Sequence, residues 1–190
     1  MNLIVSALAI TAILFPALIG VSVMGTDSLE LVIPQLAFIK QIFQEGGTPF
    51  WNSYVAVGFP NFISMNGFPF APLNLLLYFF PAVTVHYWGM FLTLTAGFFF
   101  MVLFLRKIGL GVAGSYIAAF AYLAGNIYFA RDLVLSTAIF EQAILFWILA
   151  QLYLGDPKRR LWFILLGGAV VGYGWWTAAY YPILYIAMAG

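Results

Sequence analysis

The sequence has no cysteine and a single histidine, and only 7% of its 190 residues are charged. Without cysteine there is no disulfide framework, no thiolate metal site and no cysteine nucleophile, and the redox compartment leaves no trace. One histidine, with no H-x-x-x-H or similar spacing, speaks against zinc. Seven Lys and Arg against six Asp and Glu give a net charge of +1, and the only basic cluster is Lys158-Arg159-Arg160. Nucleic-acid binding therefore has no electrostatic basis. An ordinary soluble domain carries about 25% charged residues. A chain with so few, and with 65% hydrophobic residues, points to lipid as its solvent, and no separate soluble domain can be drawn.

What is present is apolar sequence in long runs. A span needs roughly 20 apolar residues to cross about 30 Å of hydrocarbon, and five segments qualify: 3–24, 82–105, 108–130, 133–154 and 161–187. They are far longer than barrel strands, and in hydrocarbon each must satisfy its own backbone, so helices are expected. The fold class expected is an all-α integral membrane protein of about five transmembrane helices, forming one polytopic domain over residues 1–190. The first segment has no basic leader, exceeds the core of a signal peptide and lacks a small-residue cleavage pattern, and so reads as a retained anchor. The last runs to Gly190 with no closing polar tail, which suggests the N-terminal fragment of a longer protein.

A cytoplasmic N-terminus puts Arg106, Lys107, Lys158, Arg159 and Arg160 inside and only Lys40 and Arg131 outside, as the positive-inside bias requires. Residues 25–72 and the short turn at Arg131-Asp132 are then extracytoplasmic. Gly109-x-Gly111 falls at the start of a span, not between strand and helix, and is no nucleotide fingerprint. Gly111, Gly114 and Ala118, and Gly168-x-x-x-Gly172 with Gly167 and Gly174, offer small faces for helix packing.

The outer loop is much longer than the usual connection between packed helices, yet it is aromatic and poor in charge, unlike a disordered linker. It opens with Gly25-Thr-Asp-Ser-Leu-Glu-Leu-Val-Ile-Pro-Gln35. Leu29, Val32, Leu36, Ile39 and Phe43 recur at helical spacing, which predicts an interfacial amphipathic helix with Pro34 at its start or at a kink. Asp27 and Glu30 have the spacing of a capping box. Residues 46–72 are rich in Gly and Pro turns that frame Trp51, Tyr54 and Phe59. Those rings have two readings, a membrane-interface belt or a stacking wall for a sugar or lipid.

A span, an Asp soon after it, a helix, then Gly47-x-Pro49-x-Trp51-Asn52-x-Tyr54, Gly58-x-Pro60 and Gly67-x-Pro69: this order resembles the YfhO-type bacterial membrane proteins, of the GT-C class of polytopic glycosyltransferases. The stretch from Gly125-Asn126 through Arg131-Asp132 to Asp156-Pro-Lys-Arg-Arg160 is similar in layout. The resemblance implies an enzyme of the bacterial cytoplasmic membrane that passes a sugar from a polyprenyl-phosphate donor to an acceptor of the cell envelope. It implies acidic residues in the first two outer loops, and the positions that match are Asp27 and Asp132. A single Asp27 followed by Glu30 stands where a paired acidic motif would be.

Sugar transfer needs a base to deprotonate the acceptor hydroxyl, a role a positioned carboxylate can fill. Asp27 is assigned to it, with Asp132 as the second acidic site. The departing phosphate calls for a guanidinium, Arg131, or a divalent metal ion, Mg or Mn, held by Asp27 and Asp132. Glu30, Lys40, Trp51, Asn52 and Tyr54 complete the expected substrate-binding set. Glu141 falls about 13 Å into its span, where a carboxylate is functional or is neutralised by partners, with Gln142 and His86 as candidate partners. Glu141 and His86 would be the coupling groups of the alternative reading, a transporter or lipid flippase, although no internal repeat supports it. A non-catalytic membrane subunit is the third reading.

Overall fold

The computed structural model describes Ile4, Leu8, Thr11, Glu30 and residues 32–47, 51–52, 58–60, 71–125 and 133–177. These residues are mostly helical. In chain order they form α1 (Ile33–Gln44), two-residue strands β1 (Trp51–Asn52) and β2 (Phe59–Pro60), a 3-10 helix (Pro72–Tyr78), α2 (Ala82–Lys107), α3 (Val112–Gly125) and α4 (Leu133–Leu154). A short 3-10 turn (Pro157–Arg159) then leads into α5 (Arg160–Thr177).

Two helices, Ala82–Lys107 and Thr137–Leu154 within α4, are long and apolar enough to cross a membrane by length and composition. At 1.5 Å per residue α2 measures about 39 Å, more than a hydrocarbon core. The expected segment 82–105 is extended by Arg106 and Lys107, which place positive charge on the last turn, where the helix dipole is negative. Gly109 ends α2. It holds φ at +101°, and the amides of Gly109 and Leu110 return to the carbonyls of Arg106 and Leu105 at 3.2 and 3.0 Å, a Schellman closure. The Gly109-x-Gly111 pair is thus a helix stop, and it delays the next helix from the expected residue 108 to Val112. The segment expected at 133–154 is α4 as drawn. Of the segment at 161–187, the part through Thr177 is described and belongs to α5, which starts one residue earlier.

α3 and α4 both pack along α2, and α5 packs on α4. The ring pairs of α2 with α4 ascend together, Phe100 with Phe140 and Trp147, and Phe104 with Phe146, so α2 and α4 run parallel. α3 returns along α2, with Tyr116 beside Phe98, and reaches α4 through Tyr122. α2 and α4 come close at Gly97, where an added Cβ would stand 3.2 Å from the Phe140 Cα. α5 packs antiparallel on α4, with Phe163 on Trp147 at 5.5 Å and Gly167 facing Ile148.

One end of α2 carries a cap. α1 buries Val32, Leu36 and Ile39 against Leu77, Ala82 and Val85. The apolar stripe predicted for an interfacial helix is therefore covered by protein. α1 closes on the same Schellman pattern, with the amides of Gly46 and Gly47 bonded to the carbonyls of Phe43 and Ile42. The 3-10 helix was not anticipated. Its burial has a period of three, Ala71, Asn74 and Leu77, which is the period of that helix, and Tyr78 stacks on Phe43 at 4.5 Å with planes 2° apart.

Candidate functional site

The cap is where the expected substrate-binding residues converge in sequence, and the structure treats them differently. Glu30 is exposed, on π-helical backbone just before α1. Trp51 and Asn52 form β1, paired antiparallel with Pro60 and Phe59 respectively. Gly58 enters β2 with φ +100°, and a Cβ on it would lie 2.6 Å from the Trp51 indole. The ring is thus laid on bare backbone. One face is backed and the side chain keeps 55% exposure, the geometry of a fixed stacking platform.

Lys40, expected to contact substrate, has another duty. Its Nζ donates to the carbonyls of Leu77 at 3.1 Å and Phe80 at 2.9 Å, groups that the ending 3-10 helix leaves unpaired. It therefore bolts α1 to the connection between the 3-10 helix and α2. Asp27, Tyr54, Arg131 and Asp132 lie outside the described residues. So does the geometry of an Asp27–Asp132 metal site, and among the described residues no group of three His, Asp or Glu side chains converges as metal ligands.

A second polar region lies inside the bundle. Glu141 of α4 is 1% exposed. Gln142, expected to serve Glu141, instead accepts a hydrogen bond from the Tyr122 hydroxyl of α3 at 3.0 Å; that hydroxyl also lies 3.3 Å from the Ile139 carbonyl. His86, the other expected partner, is at the wrong level. It shares a helix face with Gly97, eleven positions and about 16 Å along α2, and Gly97 is the residue that meets the Phe140–Glu141 level of α4. His86 is fully buried, and among the described residues neither ring nitrogen has a hydrogen-bond partner. Tyr87 meets its ring edge-on at 5.8 Å.

Sequence reasoning located Glu141 and His86 but mispaired them. It had no means of finding the Tyr122–Gln142 link, which depends on α3 returning antiparallel to α2. The basic cluster is a solvated turn. Asp156 accepts from the Lys158 amide at 3.0 Å, Pro157 starts the turn, and residues 156–160 are exposed. No protein-family model, curated protein or solved structure matches this chain.

Proposed function

We propose that this chain is a multi-pass protein of the bacterial cytoplasmic membrane, with its N-terminus inside and about five spans. On this reading it transfers a sugar from a polyprenyl-phosphate donor to a cell-envelope acceptor on the outer side. The observation that carries the reading is the cap. The segment before α2 packs through α1 and the 3-10 helix onto the first turns of a helix able to cross a membrane, and its hairpin holds a half-exposed indole on Gly58. Sugar rings present apolar faces to such a platform, and a folded wall at the bilayer boundary is where a lipid-held donor and a water-borne acceptor meet.

In this mechanism Asp27 takes the proton of the attacking hydroxyl while the bond from the anomeric carbon to phosphate oxygen breaks. Arg131, oriented by Asp132, offsets the charge gathering on the departing phosphate. Trp51 positions the sugar ring. Lys40 joins α1 to the connection after the 3-10 helix, and no step of the transfer is assigned to it. The test separates chemistry from folding. Asn caps a helix about as well as Asp, so Asp27→Asn should leave the melting temperature nearly unchanged while transfer falls by about 10²–10⁴, the contribution of a positioned base. Near-normal transfer by this variant removes Asp27 from the mechanism.

The transporter reading is favoured by a different observation, the buried Glu141 on a helix long and apolar enough to cross a membrane. It requires that Glu141→Gln abolish a substrate-coupled proton or cation flux in vesicles, whereas the transferase reading leaves transfer by that variant largely intact.

A further inference from the structure

Beside the cap, an apolar groove of about 220 Å³ runs between Leu76 and Phe80 on one wall and Thr84, Val85, Trp88 and Leu92 of α2 on the other. Its α2 wall lies within the first three turns of a helix able to cross a membrane. Water gains little in a cavity lined this way, which lacks the two to four polar partners that an ordered water needs. A hydrocarbon chain suits it. The half-exposed Trp88 adds an amphipathic ring of the kind that settles at headgroup level.

The second observation is a charge next to that groove. The ammonium of the half-buried Lys40 is fixed on two carbonyls, one of them that of Phe80, a residue that lines the groove. An ammonium has three donors, and two are spent on these neutral groups. Among the described residues no carboxylate pairs with it. A cation partly removed from water favours an anion. Groove and cation meet at Phe80, and each asks for one half of an amphiphile.

We propose that this groove holds one acyl chain of an anionic phospholipid, with the lipid phosphate drawn to Lys40. The proposal rests on the reading that α2 crosses a bilayer; it does not depend on sugar transfer. It assigns the lipid to the outer wall of the cap, where it would brace α1 against α2.

The test uses the full chain in phosphatidylcholine vesicles containing a minor fraction of either brominated phosphatidylglycerol or brominated phosphatidylcholine. Bromine on an acyl chain quenches nearby tryptophan, and the Trp88 signal is the difference between the wild type and Trp88→Phe. Brominated phosphatidylglycerol should quench that signal at about one-fifth of the concentration needed with brominated phosphatidylcholine, the gain of one lysine at an anionic headgroup. Lys40→Arg should keep the preference and Lys40→Gln should erase it. Because Lys40→Gln also loosens the 3-10 helix and can fail to fold, salt gives an independent arm: the wild-type preference should shrink as ionic strength rises. Equal quenching by the two lipids, or a preference that survives Lys40→Gln or high salt, overturns the proposal. Relief of quenching by an equal amount of unbrominated polyprenyl phosphate but not of phosphatidylglycerol gives the groove to an isoprenoid and overturns it as well. Failure of either lipid to quench any of the six tryptophans would instead overturn the membrane reading beneath it.

Discussion

Gly58 shows how much of the hairpin depends on one missing side chain. Its φ of +100° is a conformation that costs an L-residue about 1–2 kcal/mol, and the Trp51 ring occupies the space a Cβ would need. Gly58→Ala should therefore lift the indole off the backbone. The expected outcome is a small fall in melting temperature with increased acrylamide quenching of the Trp51 component, measured against Trp51→Phe. Trp51→Ala should lower transfer while membrane insertion and melting stay normal, since the side chain is half exposed and supports little of the core; an equal loss of folded protein would return Trp51 to an interface belt. These roles were partly legible in sequence. Gly58 and Trp51 were visible as a turn residue and an aromatic, but their contact joins positions seven apart through a strand pairing that two-residue strands do not announce. Lys40 was legible only as a charge in an apolar loop. Its acceptors are 37 and 40 residues away, a distance that no local pattern encodes.

At the level of elements, the long helices were readable because apolar runs of 20 residues leave the backbone one solution in lipid; the stop at Gly109 was not, and the segment drawn from residue 108 ran through it. Nor was the 3-10 helix. Pro72-Leu-Asn-Leu-Leu-Leu-Tyr78 has no alternation and is too short for a 3.6-residue period, and its period-three burial exists only because α1 lies on it. The most demanding contact between elements is the crossing of α2 and α4 at Gly97. An alanine there would place its Cβ 3.2 Å from the Phe140 backbone, so Gly97→Ala should cost about 1–3 kcal/mol by overpacking. Gly97→Leu should separate the helices and prevent recovery of folded protein in detergent. Recovery of Gly97→Leu at wild-type yield would contradict the crossing. The α3–α4 link is milder. Tyr122→Phe removes the hydroxyl that reaches Gln142, and interhelical hydrogen bonds in membranes average about 0.6 kcal/mol, so its thermal shift should be much smaller than that of Gly97→Leu.

For the whole molecule, the arrangement of α2, α3 and α4 constrains topology more tightly than hydropathy alone. Parallel α2 and α4 with an antiparallel α3 packed along α2 put the α2–α3 turn, with Arg106 and Lys107, at one end, and the cap at the other. The antiparallel α5 begins at the end where α4 finishes, so Lys158, Arg159 and Arg160 share the end of Arg106 and Lys107. Five of the seven basic residues thus collect on one side by packing, independently of any count over loops. On the proposed reading that side is the cytoplasm. The absence of native cysteine makes the test clean, because an introduced thiol is the only one. A cysteine at Ser53 should react with an impermeant maleimide in intact cells, and one at Lys158 should react only after the membrane is opened. The opposite pattern would place the cap and Trp51 in the cytoplasm, away from any outer-side acceptor, and the proposed transfer would fall with the topology. Labelling of both sites in intact cells would show that the bundle does not separate two compartments, and would leave the lipid groove and the sugar platform without the bilayer boundary on which each depends.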